Sequence, residues 1–243
     1  MRRHLALLAA IILAATPARA AGFGDWAAIV VAGDWHAHDG SPSEAFDNAR
    51  RDVSAALARI GFNSANIEEF SVRPQRYPSQ QPMLSDPQII SNALWDLSNR
   101  ANGGCLLYFS SHGSGDGVEI GEKIYDPDKL AGLVSNDCGD EPTVVIISAC
   151  FSGVFVPALA GPNRFVMTAA RPDRSSFGCG SDNKYPYFDT CFLQSISATH
   201  DFPDLAVEVK KCVANLEKKT GMSPPSQPQV SIGANVVAQL PKW

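Results

Sequence analysis

Two segments constrain the fold more than any others. CLLYFSS at 105–111 and TVVIISA at 143–149 are apolar at almost every position rather than at alternate ones. A strand apolar on both faces must be covered on both, and a parallel sheet between helix layers does this. WAAIVVAG (26–33) and RFVMTAA (164–170) read the same way. NIEEFSV (66–72) and PQVSIGANV (228–236) add two weaker strands, about six in all. Helical stretches alternate with them. In the stretch 42–62, Ala45, Phe46, Ala49, Val53, Ala56, Leu57 and Ile60 recur at helical spacing, with Ser43 as N-cap and Gly61 as stop. A second helix starts at Ser85-Asp86-Pro87, and others fall near 126–135, 188–199 and 203–221. Segment 73–87 is Pro- and Gln-rich and reads as a long surface loop. The alternation predicts an α/β fold of three layers with a mostly parallel sheet. No repeat or linker divides the chain.

The N-terminus reads as a processing segment. In MRRHLALLAAIILAATPARA, Arg2 and Arg3 precede an apolar run from Leu5 to Ala15, and Ala18-Arg19-Ala20 follows. This is the layout of a secretory signal cleaved after Ala20. The run is shorter than the ~20 apolar residues that span a bilayer. The expected product, residues 21–243, is one domain exported to the periplasm or beyond, with no membrane span. The chain carries 20 basic and 25 acidic residues. Without Arg2, Arg3 and Arg19 the balance is 17 against 25, and no basic run appears, which argues against nucleic acid or anionic membrane as partners.

Cysteines stand at 105, 138, 150, 179, 191 and 212. An exported chain meets an oxidising compartment, so pairing is the default. Cys179 and Cys191 flank a short polar loop and form one candidate bridge. Cys105 and Cys138 each precede a strand and form another. Connectivity is not fixed by sequence.

His112 and Cys150 carry the chemistry. Each follows an apolar strand, and in open α/β sheets ligands bind at the carboxyl ends of strands. The two strands are consecutive and expected to be neighbours, ~4.8 Å apart. A cysteine nucleophile needs a base to remove its proton, and imidazole is the usual one. The Gly113 and Cys150 N–H groups are candidates to hold an oxyanion. His36-Ala37-His38-Asp39 has metal-like composition, but no second ligand group accompanies it, so no metal is expected. GSGDG at 113–117 lacks the Gly-Lys-Ser/Thr ending of a phosphate loop.

SSHGSGDG (110–117) followed by VVIISACFSG (144–153) resembles peptidase family C13, the legumain-like cysteine peptidases of caspase-type fold. The resemblance implies a caspase-like domain and an endopeptidase acting on peptide or protein substrates without a cofactor. His112 would be the base, Cys150 the nucleophile, and Gly113 with Cys150 the oxyanion donors. The residue that orients the histidine would come from DWHAHDGSPSE (34–44), with Asp39 preferred and His38 the alternative. MTAARPDRSSFGC (167–179) is similar to the family segment whose serines line the primary pocket, here Ser175 and Ser176. Asp189 matches the acidic residue of that pocket. Departures limit the analogy. Gly40-Ser41 stands near the family's substrate-binding Arg-His, Ser148 replaces an acid two before the nucleophile, and Phe151 replaces the one after it. A strict asparagine preference therefore does not carry over; Arg171 or Arg174 could enter the pocket, but the preferred reading is that they are solvated loop charges. Removal of a long C-terminal tail is not expected. Two alternatives share the scaffold: a transamidase using the same dyad, and a non-catalytic binding protein.

Overall fold

The computed structural model describes residues 22–243; the expected signal segment lies outside them. The chain runs β1 (Trp26–Ala32), α1 (Ala45–Arg59), β2 (Ile67–Ser71), β3 (Met83–Leu84), α2 (Pro87–Arg100) and β4 (Gly104–Ser110). A small antiparallel unit follows, β5 (Gly113–Ser114), β6 (Gly117–Ile120) and β7 (Lys123–Tyr125), then α3 (Pro127–Asp137) and β8 (Thr143–Ser148). After α4 (Val156–Leu159) come β9 (Arg164–Thr168), α5 (Tyr187–Ile196), α6 (Phe202–Thr220), β10 (Gln229–Ile232) and α7 (Val236–Gln239).

The main sheet has the order β10-β9-β8-β4-β1-β2-β3 and is parallel except at β10. All six expected strands are in it. A seventh, β3, lies inside the segment read as loop, pairing Met83 and Leu84 with Phe70 and Ser71. Two residues are too few to show a period. The Gly-rich stretch after His112 opens the β5-β6-β7 sheet.

Continuous apolarity is used as parallel strands require. Ala28, Val30, Leu106, Tyr108, Val144 and Ile146 face one core, with α1, α5 and α6. Ala27, Ile29, Val31, Leu107, Phe109 and Ile147 face the other, with α2 and α3. These residues are fully buried, and truncating one such aliphatic to alanine costs about 2–5 kcal/mol. Side-chain caps set the starts of α2 and α6, whereas α1 begins after Glu44 and not Ser43, with no side-chain cap. Asp86 accepts hydrogen bonds from Gln88 and Ile89 N–H, and Asp201 from Asp204 N–H. Gly221, at φ 70°, ends α6 in the left-handed conformation that glycine adopts without strain.

Two disulfides form. Cys105 and Cys138 are bonded as expected, tying β4 to the end of α3. The expected Cys179–Cys191 bridge is corrected: Cys191 is bonded to Cys212. Cys191 lies on the face of α5 that packs against α6, whereas Cys179 sits above the carboxyl ends of the strands. Cys150 and Cys179 are both free.

Candidate active site

Six residue pairs hold β4 and β8 in parallel register, ending at Ser110 opposite Ser148. Ser111 N–H extends the ladder onto the Ser148 carbonyl at 3.0 Å. His112 and Cys150 each stand two residues beyond the last pair, so the register itself brings them to one level on neighbouring strands. Both bound one small cavity, with Phe46, Ser148, Cys179 and Pro186 among its walls.

Glycine at 113 is required by close approach. A Cβ there would fall 2.5 Å from the Cys150 carbonyl oxygen. Gly113 also lies opposite Val118, while Glu119 N–H donates to the His112 carbonyl. Gly113–Val118 is thus a non-hydrogen-bonded pair, and the hairpin leaves the Gly113 N–H free. Among the described residues, no backbone carbonyl accepts the Cys150 N–H either. Past the cysteine the chain turns sharply. Phe151 has φ 57°, ψ 10°, a conformation that costs a bulky residue about 1–3 kcal/mol. Its N–H donates to the Arg174 carbonyl at 2.8 Å, tying the turn to the loop after β9.

The Cys150 sulfur is half-buried and accepts a hydrogen bond from Ser176 N–H at 3.2 Å. Burial pushes its thiol up, and the Ser176 N–H and the Ser175 hydroxyl oppose this. The thiol therefore rests neutral and needs a base. His112 has its Nε2 3.0 Å from the His36 carbonyl oxygen. A carbonyl only accepts, so Nε2 carries the proton, and the neutral ring keeps the Nδ1 lone pair free. Phe46 packs edge-to-face on the imidazole, ring centres 5.1 Å apart.

Asp39 is corrected as the residue orienting His112. Its carboxylate is exposed and closes a turn onto the Ser41 N–H and hydroxyl. His38 is exposed as well. The groups facing His112 are the His36 carbonyl and the Asp34 carboxylate, whose Oδ2 is 4.0 Å from Nε2. Asp34 Oδ1 also accepts from Trp35 N–H and from the His36 ring and N–H, which holds that carbonyl in place. Asp34 is the first charged residue after β1, and that position was its one sequence signal.

Of the expected pocket residues, Ser148 and Ser176 line the cavity, while Ser175 is exposed. Asp189 lies beneath, fully buried, accepting hydrogen bonds from the Tyr108 and Ser148 hydroxyls. Burial raises its carboxyl to about 6, and those hydroxyls only partly offset it. Arg171 and Arg174 stay outside the cavity, each paired with Asp173. Phe46, Cys179 and Pro186 line the cavity without having been read as site residues from the sequence. On the other side of His112, a groove of about 620 Å³ runs between Asp34, Trp35 and His36 and the β6–β7 turn at Glu122 and Lys123. Among the described residues no cluster of three or more His, Cys, Asp or Glu is placed to hold a metal, and no helix is long and apolar enough to cross a membrane.

The sheet order and the paired strand ends define a caspase-type scaffold. The chain is similar to the crystal structure of caspase-1 from Spodoptera frugiperda, with a TM-score of 0.63 and 16% identity over 94% of this chain and 96% of that one. No curated protein matches it significantly. A model of the Peptidase C13 family matches residues 85–224, more than half of the chain. The protein belongs to the peptidase C13 family, and in general terms it is a cysteine peptidase.

Proposed function

We propose that the protein is an exported cysteine endopeptidase that cleaves peptide bonds through a thioester acyl-enzyme. The observation carrying this reading is that His112 and Cys150, in register on adjacent strands, bound one cavity, with the free N–H groups of Gly113 and Cys150 beside them. His112 Nδ1 takes the Sγ proton as sulfur attacks the substrate carbonyl carbon. The Gly113 and Cys150 N–H groups hold the oxyanion. The imidazolium, stabilised by Asp34 and the His36 carbonyl, then gives its proton to the leaving amine. Water, deprotonated by His112, attacks the thioester; the carboxylic acid leaves and the thiol is restored.

The groove beside Trp35 offers room for further residues of a polypeptide. Export is supported by the N-terminal segment and is consistent with the two disulfides. The test incubates reduced protein and Cys150→Ala with a mixed peptide library and reads new termini by mass spectrometry. Internal cuts made by the wild type and absent from the variant are the expected result. Equal cleavage by both proteins would sink the reading.

A further inference from the structure

The cavity shared by His112 and Cys150 opens on the α1–α5 side of the sheet, between Phe46 in the first turn of α1 and Pro186 just before α5. A substrate carbonyl on Sγ carries, one bond away, the Cα of the residue that supplies the acyl group. The side chain of that residue must enter the nearest concavity, and this cavity is the one that both reacting groups bound. Resting on the peptidase reading, we propose that the cavity receives this side chain and that Phe46 limits it to glycine, alanine or serine.

Size is the first argument. The cavity is narrow: only about 10 Å³ of it admits the centre of a water-sized sphere, within about 240 Å³ of empty space that includes its open mouth. A methyl or hydroxymethyl group fits such a space, whereas a carboxamide, a ring or a guanidinium does not. Phe46 is 2% exposed and wedged against the imidazole, so the protein around it holds the ring in place.

Charge is the second. No lysine or arginine lines the cavity. Arg171 and Arg174, the arginines of the adjacent loop, are engaged by Asp173. An acidic side chain would find no fixed cation there, and buried Asp189 lies below. A basic side chain would have to reach Asp189, whose two oxygens are already bound by Tyr108 and Ser148. The Ser148 and Ser176 positions suit a small neutral group, polar or apolar.

The test uses peptides identical except for the residue before the cleaved bond, taken as Gly, Ala, Ser, Asn, Asp, Arg or Phe. For wild type, kcat/KM for Ala or Ser exceeds that for Asn by about tenfold or more, and that for Arg and Phe by about a hundredfold, as expected when a narrow pocket meets extra atoms. Phe46→Ala raises Asn and Phe relative to Ala. Phe46→Leu, which keeps more of the packing, moves the ratio the same way by less and serves if the alanine variant does not fold. Wild-type preference for Asn, Arg or Phe overturns the proposal.

Peptide chloromethyl ketones with the same series of residues read the cavity without turnover, through the rate of Cys150 alkylation. Alkylation independent of the residue overturns the size limit and leaves the peptidase reading standing. If iodoacetamide labels Cys150 while no ketone does and no peptide is cleaved, the peptidase reading fails and the proposal with it.

Discussion

His112 and Cys150 leave the sheet from strands locked together by a ladder of six residue pairs, whereas the loops around them, 33–44 and 169–186, have no such ladder. The first loop is held by Asp34 on the Trp35 and His36 N–H groups, by Arg73 on the Ser43 carbonyl, and by the Arg73 guanidinium stacked 4.7 Å from the Trp35 ring centre. The second is held by isolated backbone contacts, Phe151 to Arg174, Arg171 to Ser226 and Tyr187 to Phe177. In one region the position of the reacting groups is a property of repeated backbone geometry. In the other, orientation and cavity shape depend on isolated side-chain and backbone contacts that lie outside the sheet's ladder.

The largest effect expected is from the ladder side. Gly113→Ala drives a methyl group into the Cys150 carbonyl and separates the two strand ends. A displacement of about 1 Å at reacting groups costs about a hundredfold in rate, so kcat/KM falls by that order, with a lower Tm. Wild-type activity in this variant would break the comparison, because close approach of the strand ends would then not matter.

A smaller loss belongs to the first loop. Asp34→Asn removes the anion that faces the imidazolium and weakens the hold on the His36 carbonyl, lowering kcat/KM by about tenfold, which corresponds to about 1.4 kcal/mol in the transition state. Asp39→Asn, altering an exposed turn, leaves kcat/KM within about twofold. Equal losses in the two variants would return the orienting role to the turn.

The last effect, on stability and not on rate, concerns the cavity floor. The Asp189 carboxyl sits at about 6 in the folded protein, above its ordinary 3.8. The folded state thus binds this proton more tightly than the unfolded chain does. The resulting stabilisation is full below about pH 4 and is lost as pH rises through about 6. The rise from 3.8 to about 6 is worth about 2–3 kcal/mol between pH 4 and pH 7, so over that range the Tm advantage of wild type over Asp189→Asn narrows by about 5–10 °C. A difference that stays constant, or widens with pH, would show that the floor acid does not titrate as its burial dictates.

Much of the fold was legible from local pattern. Apolar runs without alternation marked β1, β4, β8 and β9, and the Ser85-Asp86-Pro87 start marked α2. The β3 pairing and the β5–β7 unit were not legible, since strands of two to four residues carry no period. The site divides similarly. His112, Gly113 and Cys150 stood out because reactive or small residues interrupt apolar strands. The His36 carbonyl could not stand out, because every residue has one. Asp34 lost to Asp39 in the sequence reading because distance along a loop does not report distance in space.

Sequence by itself determined the layer order and the two strands that end in reactive residues, because burial period and strand succession are local or nearly local properties. Tertiary structure alone decided that Cys191 bonds Cys212, that Asp34 faces His112, that Cys179 stays free beside Cys150, and that Phe46 closes the cavity. Each of these is a meeting of segments far apart in the chain or free in their loops, set by how helices seat on a twisted sheet, and no spacing in the sequence encodes that seating.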